Sequence, residues 1–189
     1  VRGIPNLNWS LFAWEYNTDN ASMMPALVNT ILMTALSLIL AVPIGVYGAI
    51  YMTEYAGSAN RLVKVTRITS ETLTGIPSIL YGLFGLMFFV TALKMGLSLI
   101  SGALTLSIMI LPLILRATEE ALIAVPREYR EGSFGLGAGR LRTVSKVVLP
   151  SAMPGILSGV ILAIGRIVGE TAALIYTAGT VAKAADSLT

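Results

Sequence analysis

The sequence predicts an all-α fold, a polytopic transmembrane helical bundle with about four spans. Three observations predict it. The 189 residues are 55% hydrophobic, with a mean hydropathy of +0.79. Only 12% are charged, about half the share of an ordinary soluble domain. The charges also leave gaps long enough to cross a bilayer, which takes about 20 apolar residues in a helix.

Residues 1–22 are polar and aromatic, with Asn6, Asn8, Trp9, Trp14, Asn17 and Asp19. They lack a basic start followed by an apolar stretch, so they are not a signal peptide. The chain opens on Val1, which suggests a piece of a longer protein. No charge occurs from Asn20 to Thr53, which predicts a span near 25–52. The charge-free runs Thr72–Leu93 and Met95–Leu115 predict spans near 72–93 and 97–115. A last run, Val147–Gly165, resumes after Arg166 and Glu170 and predicts a span near 152–180. Pro43, Pro77 and Pro112 lie inside or at the start of spans, where neighbouring helices can satisfy the freed carbonyls. Gly155 and Gly159, then Gly165 and Gly169, recur at four-residue spacing. That spacing lets helix backbones approach closely, within the bundle or at a subunit interface.

Charge sets the direction. The segments 54–71 and 116–146 hold nine basic residues against three on the alternate side, Arg2, Lys94 and Lys183. This bias puts both basic loops in the cytoplasm and residues 1–22 outside. Residues 116–149 are the longest inside segment. Pro126 and the glycines 135, 137 and 139 predict two short helices joined at a bend, either a solvated connector or a docking surface with Tyr129 and Phe134 exposed. The run Gly135-Leu-Gly-Ala-Gly139 lacks the Gly-Lys-Ser/Thr ending and the preceding strand of a nucleotide loop.

Several chemistries are excluded. The chain has no Cys and no His, so no catalytic residue and no metal site is expected. A net charge of +3 without a dense basic tract argues against nucleic acid. The charges that call for a reason are Arg166 and Glu170, inside the last apolar stretch. Each costs about 2.5–3.5 kcal/mol at mid-bilayer. At i, i+4 on one helix they can neutralise each other or line a transport path. The planar fork of Arg166 suits a tetrahedral oxyanion, and Thr171 adds a hydroxyl. Arg116 directly follows the apolar Leu111–Leu115 and is a further pathway candidate. Glu119 and Glu120 read as a solvated helix end, and Glu71 as an interfacial residue.

The loop resembles the cytoplasmic motif of ABC importer permeases: Glu-Ala-Ala, three residues, Gly, nine residues, Ile, one residue, Leu-Pro. The matching residues are Glu131, Gly132, Ser133, Gly137, Val147, Leu149 and Pro150, with both gaps of the right length. Gly132 and Ser133 replace the alanines, and Val147 the isoleucine. Three further stretches are similar to the phosphate-specific permeases, most of all the PstA type, with the PstC type close behind. They are Gly165–Thr171, Gly75–Gly85 and Leu111–Leu122.

The resemblance implies the type I ABC importer permease fold over residues 23–189. Residues 1–22 would then be an extracytoplasmic segment following a missing first helix. It implies a permease that does no bond chemistry, in a bacterial or archaeal cytoplasmic membrane. A second permease subunit (PstC type), two copies of an ATPase (PstB type) and an extracytoplasmic phosphate-binding protein (PstS type) would be its partners. ATP and Mg would sit on the ATPase and none on this chain. The 116–149 loop would couple to the ATPase through Glu131 to Pro150. Arg116, Arg166 and Glu170 match the basic and acidic residues important in that family. An ABC permease for another oxyanion or an amino acid is the alternative, followed by an ion-coupled secondary transporter.

Overall fold

The computed structural model describes residues 23–56 and 60–179. The expectations for residues 1–22, Lys183 and the end of the last span lie outside the described residues. All regular elements among the described residues are helical. They are α1 (Met24–Ile50), α2 (Arg61–Thr74), α3 (Ser78–Gly85), α4 (Leu99–Ile123), α5 (Arg127–Gly135), α6 (Arg140–Thr143), α7 (Leu149–Val168) and α8 (Ala172–Thr177). Three π-helical segments extend or join them: Tyr51–Tyr55 after α1, Leu86–Ala92 after α3, and Val144–Val148 between α6 and α7. Met24–Tyr55, Leu99–Ile123 and Arg140–Val168 are long and apolar enough to cross a membrane, and α2 with α3 makes a fourth if counted as one broken span.

The chain divides into two compact units, with α1 and α4 contributing to both. Among the described residues, the first comprises 23–37, 78–105 and 170–179. Small residues and hydroxyls hold it. A Cβ on Gly82 would stand 2.8 Å from Ala173 Cα, so α3 meets α8 backbone to backbone. Gly85 faces Thr105 and Thr177 just as closely. The buried Ser37 hydroxyl lies 2.7 Å from Met33 O and 3.1 Å from Ala103 O, joining α1 to α4. Ser98 and Ser101 hydroxyls bond each other at 2.9 Å, and the Ser98 N–H donates to Thr177 O. Phe84, Phe88 and Phe89 form one aromatic cluster, with ring centroids 5.2–6.3 Å apart.

Among the described residues, the second unit comprises 38–56, 60–77 and 106–169. Its core joins Ala49, Met52, Val63, Leu115, Leu122, Val125, Val148, Ala152 and Ile156. The glycine spacing in α7 finds its reason here. A Cβ on Gly155 would lie 2.7 Å from Ala121 Cβ, and one on Gly159 2.5 Å from Ala117 Cβ. The four-residue repeat of α7 therefore stacks on a four-residue repeat of α4, packing within the chain. Gly165 has nothing comparable around it.

Two stretches differ from the sequence expectation. The segment read as a loop up to residue 71 is helical from Arg61. Asn60 starts α2, its side chain accepting from the Leu62 N–H at 3.0 Å, an N-cap that satisfies an orphan donor. Val63 and Ser70 bury one face, while Leu62, Val65 and Ile68 are exposed on another. The final apolar run is also interrupted. α7 stops at Val168 and α8 starts at Ala172, leaving Gly169, Glu170 and Thr171 outside either helix.

Candidate functional site

Most of the charged chemistry of the described residues gathers in the second unit, at the hairpin of α5 and α6 and between α2 and α4. α5 follows Pro126, whose φ of −54° suits a helix start. Glu128 in its first turn complements the helix dipole. The end is set by Gly137, at φ +82°, a left-handed position that costs any side chain about 1–2 kcal/mol. Three backbone bonds close the turn: Leu136 N to Gly132 O, Gly137 N to Phe134 O, and Ala138 N to Ser133 O. The Ser133 and Thr143 hydroxyls, 2.8 Å apart, tie α5 to α6. The hairpin presents Glu131, Tyr129, Phe134, Leu136 and Leu141 to the outside. Gly132 is exposed, Val147 and Leu149 are half-buried, and Pro150 is exposed in the first turn of α7. The residues of the loop motif thus form one helix, its turn and the entry of the next helix.

Arg130 anchors this hairpin, although no local pattern in the chain singles it out. Its Nη2 donates to Glu54 Oε1 at 2.6 Å and to Leu122 O at 2.9 Å. Nη1 donates to Val125 O at 2.9 Å, and Nε reaches Glu54 at 3.2 Å. Only 19% of the Arg130 side chain and 9% of Glu54 is exposed. The one available signal was Glu54 itself, the first charge after an apolar run, which must find a partner if buried. Arg140 of α6 lies over the Tyr55 ring, 5.9 Å from its centroid, within cation–π range.

A second group surrounds Arg116. Its Nη1 donates to Glu71 at 2.9 Å and its Nε to Glu120 at 3.1 Å. Arg67 pairs with Glu119, with Nε 2.6 Å from Oε1. Together they line a cavity of about 200 Å³. Three carboxylates face two guanidiniums there, so an anion at Arg116 competes with Glu71 and Glu120. Glu119 is buried rather than solvated at the helix end. Neighbouring positions on a helix point about 100° apart, which sends Glu119 to α2 and leaves Glu120 outside. Glu71, read as merely interfacial, is a partner of Arg116.

Arg166 is half-buried in the last turn of α7, where a cation suits the helix dipole. Glu170 lies beyond the helix end, so the i, i+4 relation of one continuous helix does not hold between them. The Glu170 carboxylate instead accepts from the Ala173 N–H at 3.1 Å and caps the start of α8. Thr171 is exposed beside it.

The profile of the family described as "Binding-protein-dependent transport system inner membrane component" matches residues 41–186. The probable ABC transporter permease protein YqgI of Bacillus subtilis is 42% identical over 177 residues, covering 90% of this chain and 60% of that one. The phosphate transport system permease protein PstA 1 of Mycobacterium tuberculosis is 40% identical over 154 residues, covering 82% of this chain and 50% of that one. The chain therefore spans about half to three-fifths of the length of these relatives. An inward-facing structure of the MetNI methionine ABC transporter superposes with a TM-score of 0.62 at 23% identity, covering 78% of this chain and 68% of that one. That likeness concerns the fold. With an all-helical architecture, apolar helices of spanning length and a match over most of its residues, the chain belongs to the family of binding-protein-dependent transport system inner membrane components.

Proposed function

We propose that this chain is a pore-forming permease subunit of an ATP-driven importer of inorganic phosphate, coupled to its ATPase through residues 131–150. The exposed α5–α6 hairpin on a pinned root is the observation that carries the coupling. It offers a rigid, glycine-terminated knob with aromatic and aliphatic side chains free to dock. Phosphate as the substrate is supported by the similarity to PstA 1, a phosphate transport system permease protein. The partners would be a PstC-type permease, two PstB-type ATPase copies that hold ATP and Mg, and a PstS-type binding protein outside. The basic segments face the cytoplasm in this reading.

The permease itself makes and breaks no bonds. Its task is to open a path to one side at a time, biased by differential contacts with the states of the ATPase. Arg166 would give a partly desolvated phosphate charge-assisted hydrogen bonds. Glu170 and Thr171 would add polar lining, with Glu170 limiting how tightly the anion is held, since transit needs release as well as capture. Arg116 would take the anion by exchanging a carboxylate for it. The test is uptake of labelled phosphate by vesicles holding the purified complex, with sulfate and molybdate as competitors. Competition by unlabelled phosphate alone, and loss of uptake in Arg166→Leu with the ATPase still co-purifying, are the expected results. Uptake without ATP, or uptake intact in Arg166→Leu, overturns the reading.

A further inference from the structure

We propose that Arg130 is a positioning residue for energy coupling: it makes the α5 hairpin pull on α1 and α4 directly, through the Glu54 carboxylate and the Leu122 and Val125 carbonyls. The inference rests on the importer reading above and names the mechanical joint that reading requires.

Consider what fastens the hairpin to the long helices. The α5 backbone packs on α6 and on the Val144–Val148 segment. Its side-chain bonds to the distant elements run through Arg130. All three guanidinium nitrogens are used, on a carboxylate from the segment after α1, on the Leu122 carbonyl in the last turn of α4 and on the Val125 carbonyl just beyond it. Leu122 lies in the last turn of α4, where the helix carries its negative partial charge, and its carbonyl also accepts from the Val125 N–H at 3.4 Å. One planar cation therefore satisfies three separate acceptor groups at once. Lysine presents its donors from a single point and cannot span them.

The partner is placed as a joint requires. Glu54 sits in the π-helical segment Tyr51–Tyr55, the continuation of the long apolar α1. Such π segments depart from the regular helical ladder and recur at functional positions. Beside Glu54, the Thr53 hydroxyl is buried without a hydrogen-bond partner. Both residues line a cavity of about 400 Å³ together with Arg127, Arg130 and Glu131. Backbone off its ladder, an unpaired hydroxyl and open volume give this end of α1 room to change its arrangement. The Arg130 clamp decides that it does so when α5 moves. Arg140 over Tyr55 adds a second, weaker tether on the same segment.

The experiment uses the full complex of both permeases, ATPase and binding protein in vesicles, reading phosphate transported per ATP hydrolysed. Arg130→Met, Arg130→Lys and Glu54→Gln are compared with the unaltered complex. Expected is a fall of about tenfold in that ratio for Arg130→Met, with the ATPase still co-purifying and still hydrolysing ATP. Arg130→Lys falls less, and Glu54→Gln lies between them. An unchanged ratio in both Arg130→Met and Glu54→Gln overturns the inference. So does a parallel loss of assembly, hydrolysis and uptake in all three, which marks a fold or docking residue. An unaltered complex that holds no ATPase or moves no phosphate overturns the importer reading, and this inference with it. A coupled unaltered complex with equally coupled variants overturns the inference alone.

Discussion

The two units are held together by different physics. In the first, helices approach until backbone meets backbone, and hydroxyls fill the remaining polar needs: Gly82 on Ala173, Gly85 beside Thr105, Ser37 between α1 and α4. In the second, an aliphatic core is accompanied by arginine clamps: Arg130 and Arg116, each with more than one acceptor, and Arg67 of α2 on Glu119 of α4. Close approach is intolerant of added volume and indifferent to salt. Arginine clamps tolerate changes in volume and fail when a partner is removed. The first unit is thus built to keep one shape, while the second adds contacts that can be exchanged to a close approach of its own, between α4 and α7.

Four comparisons test this contrast, in falling order of effect. Gly82→Leu drives a side chain into the α8 backbone and should lower stability by about 3 kcal/mol, seen as a lower thermal midpoint in detergent. An unchanged midpoint would deny that close approach holds the first unit. Arg67→Ala leaves the Glu119 side chain, 10% exposed, without its cation. A loss of about 2 kcal/mol is expected, below the range for a fully buried pair because Arg67 is 42% exposed. Glu119→Gln in the same chain should recover most of it. If the double variant is no better, the clamp is packing rather than charge. Gly137→Ala should cost about 1 kcal/mol through its left-handed backbone, whereas Gly132→Ala, with open space around it, should cost nothing. Glu120→Ala comes last. Its exposed pair with Arg116 should leave the thermal midpoint unmoved at physiological salt, and a clear drop would put that pair among the structural clamps.

What the sequence made legible follows from what leaves a local trace. Charge-free runs announce apolar helices, because lipid excludes unpaired charge. The α5–α6 hairpin was legible through Pro126 and the glycines, whose backbone preferences act within a few residues. The spacing of Gly155 and Gly159 foretold close packing, and Ala121 and Ala117 supply its other half. The clamps were illegible: Arg67 meets Glu119 across 52 positions and Arg130 meets Glu54 across 76, and no local pattern pairs such residues. α2 was hidden because its charges break the apolar run, although Asn60 signals its start. The break at residues 169–171 lies where the composition stays apolar on both sides, so it shows only in the backbone.

The α4–α7 contact has a mechanical corollary. Sliding between helices normally proceeds by side chains hopping past one another in an interdigitated layer. Where Gly155 and Gly159 rest against Ala121 and Ala117, that layer is missing, and slippage by part of a turn would drive methyl groups into the opposing main chain. These two helices are geared together like meshed teeth. Any rearrangement the protein undergoes has to carry them as one strut and find its hinge elsewhere.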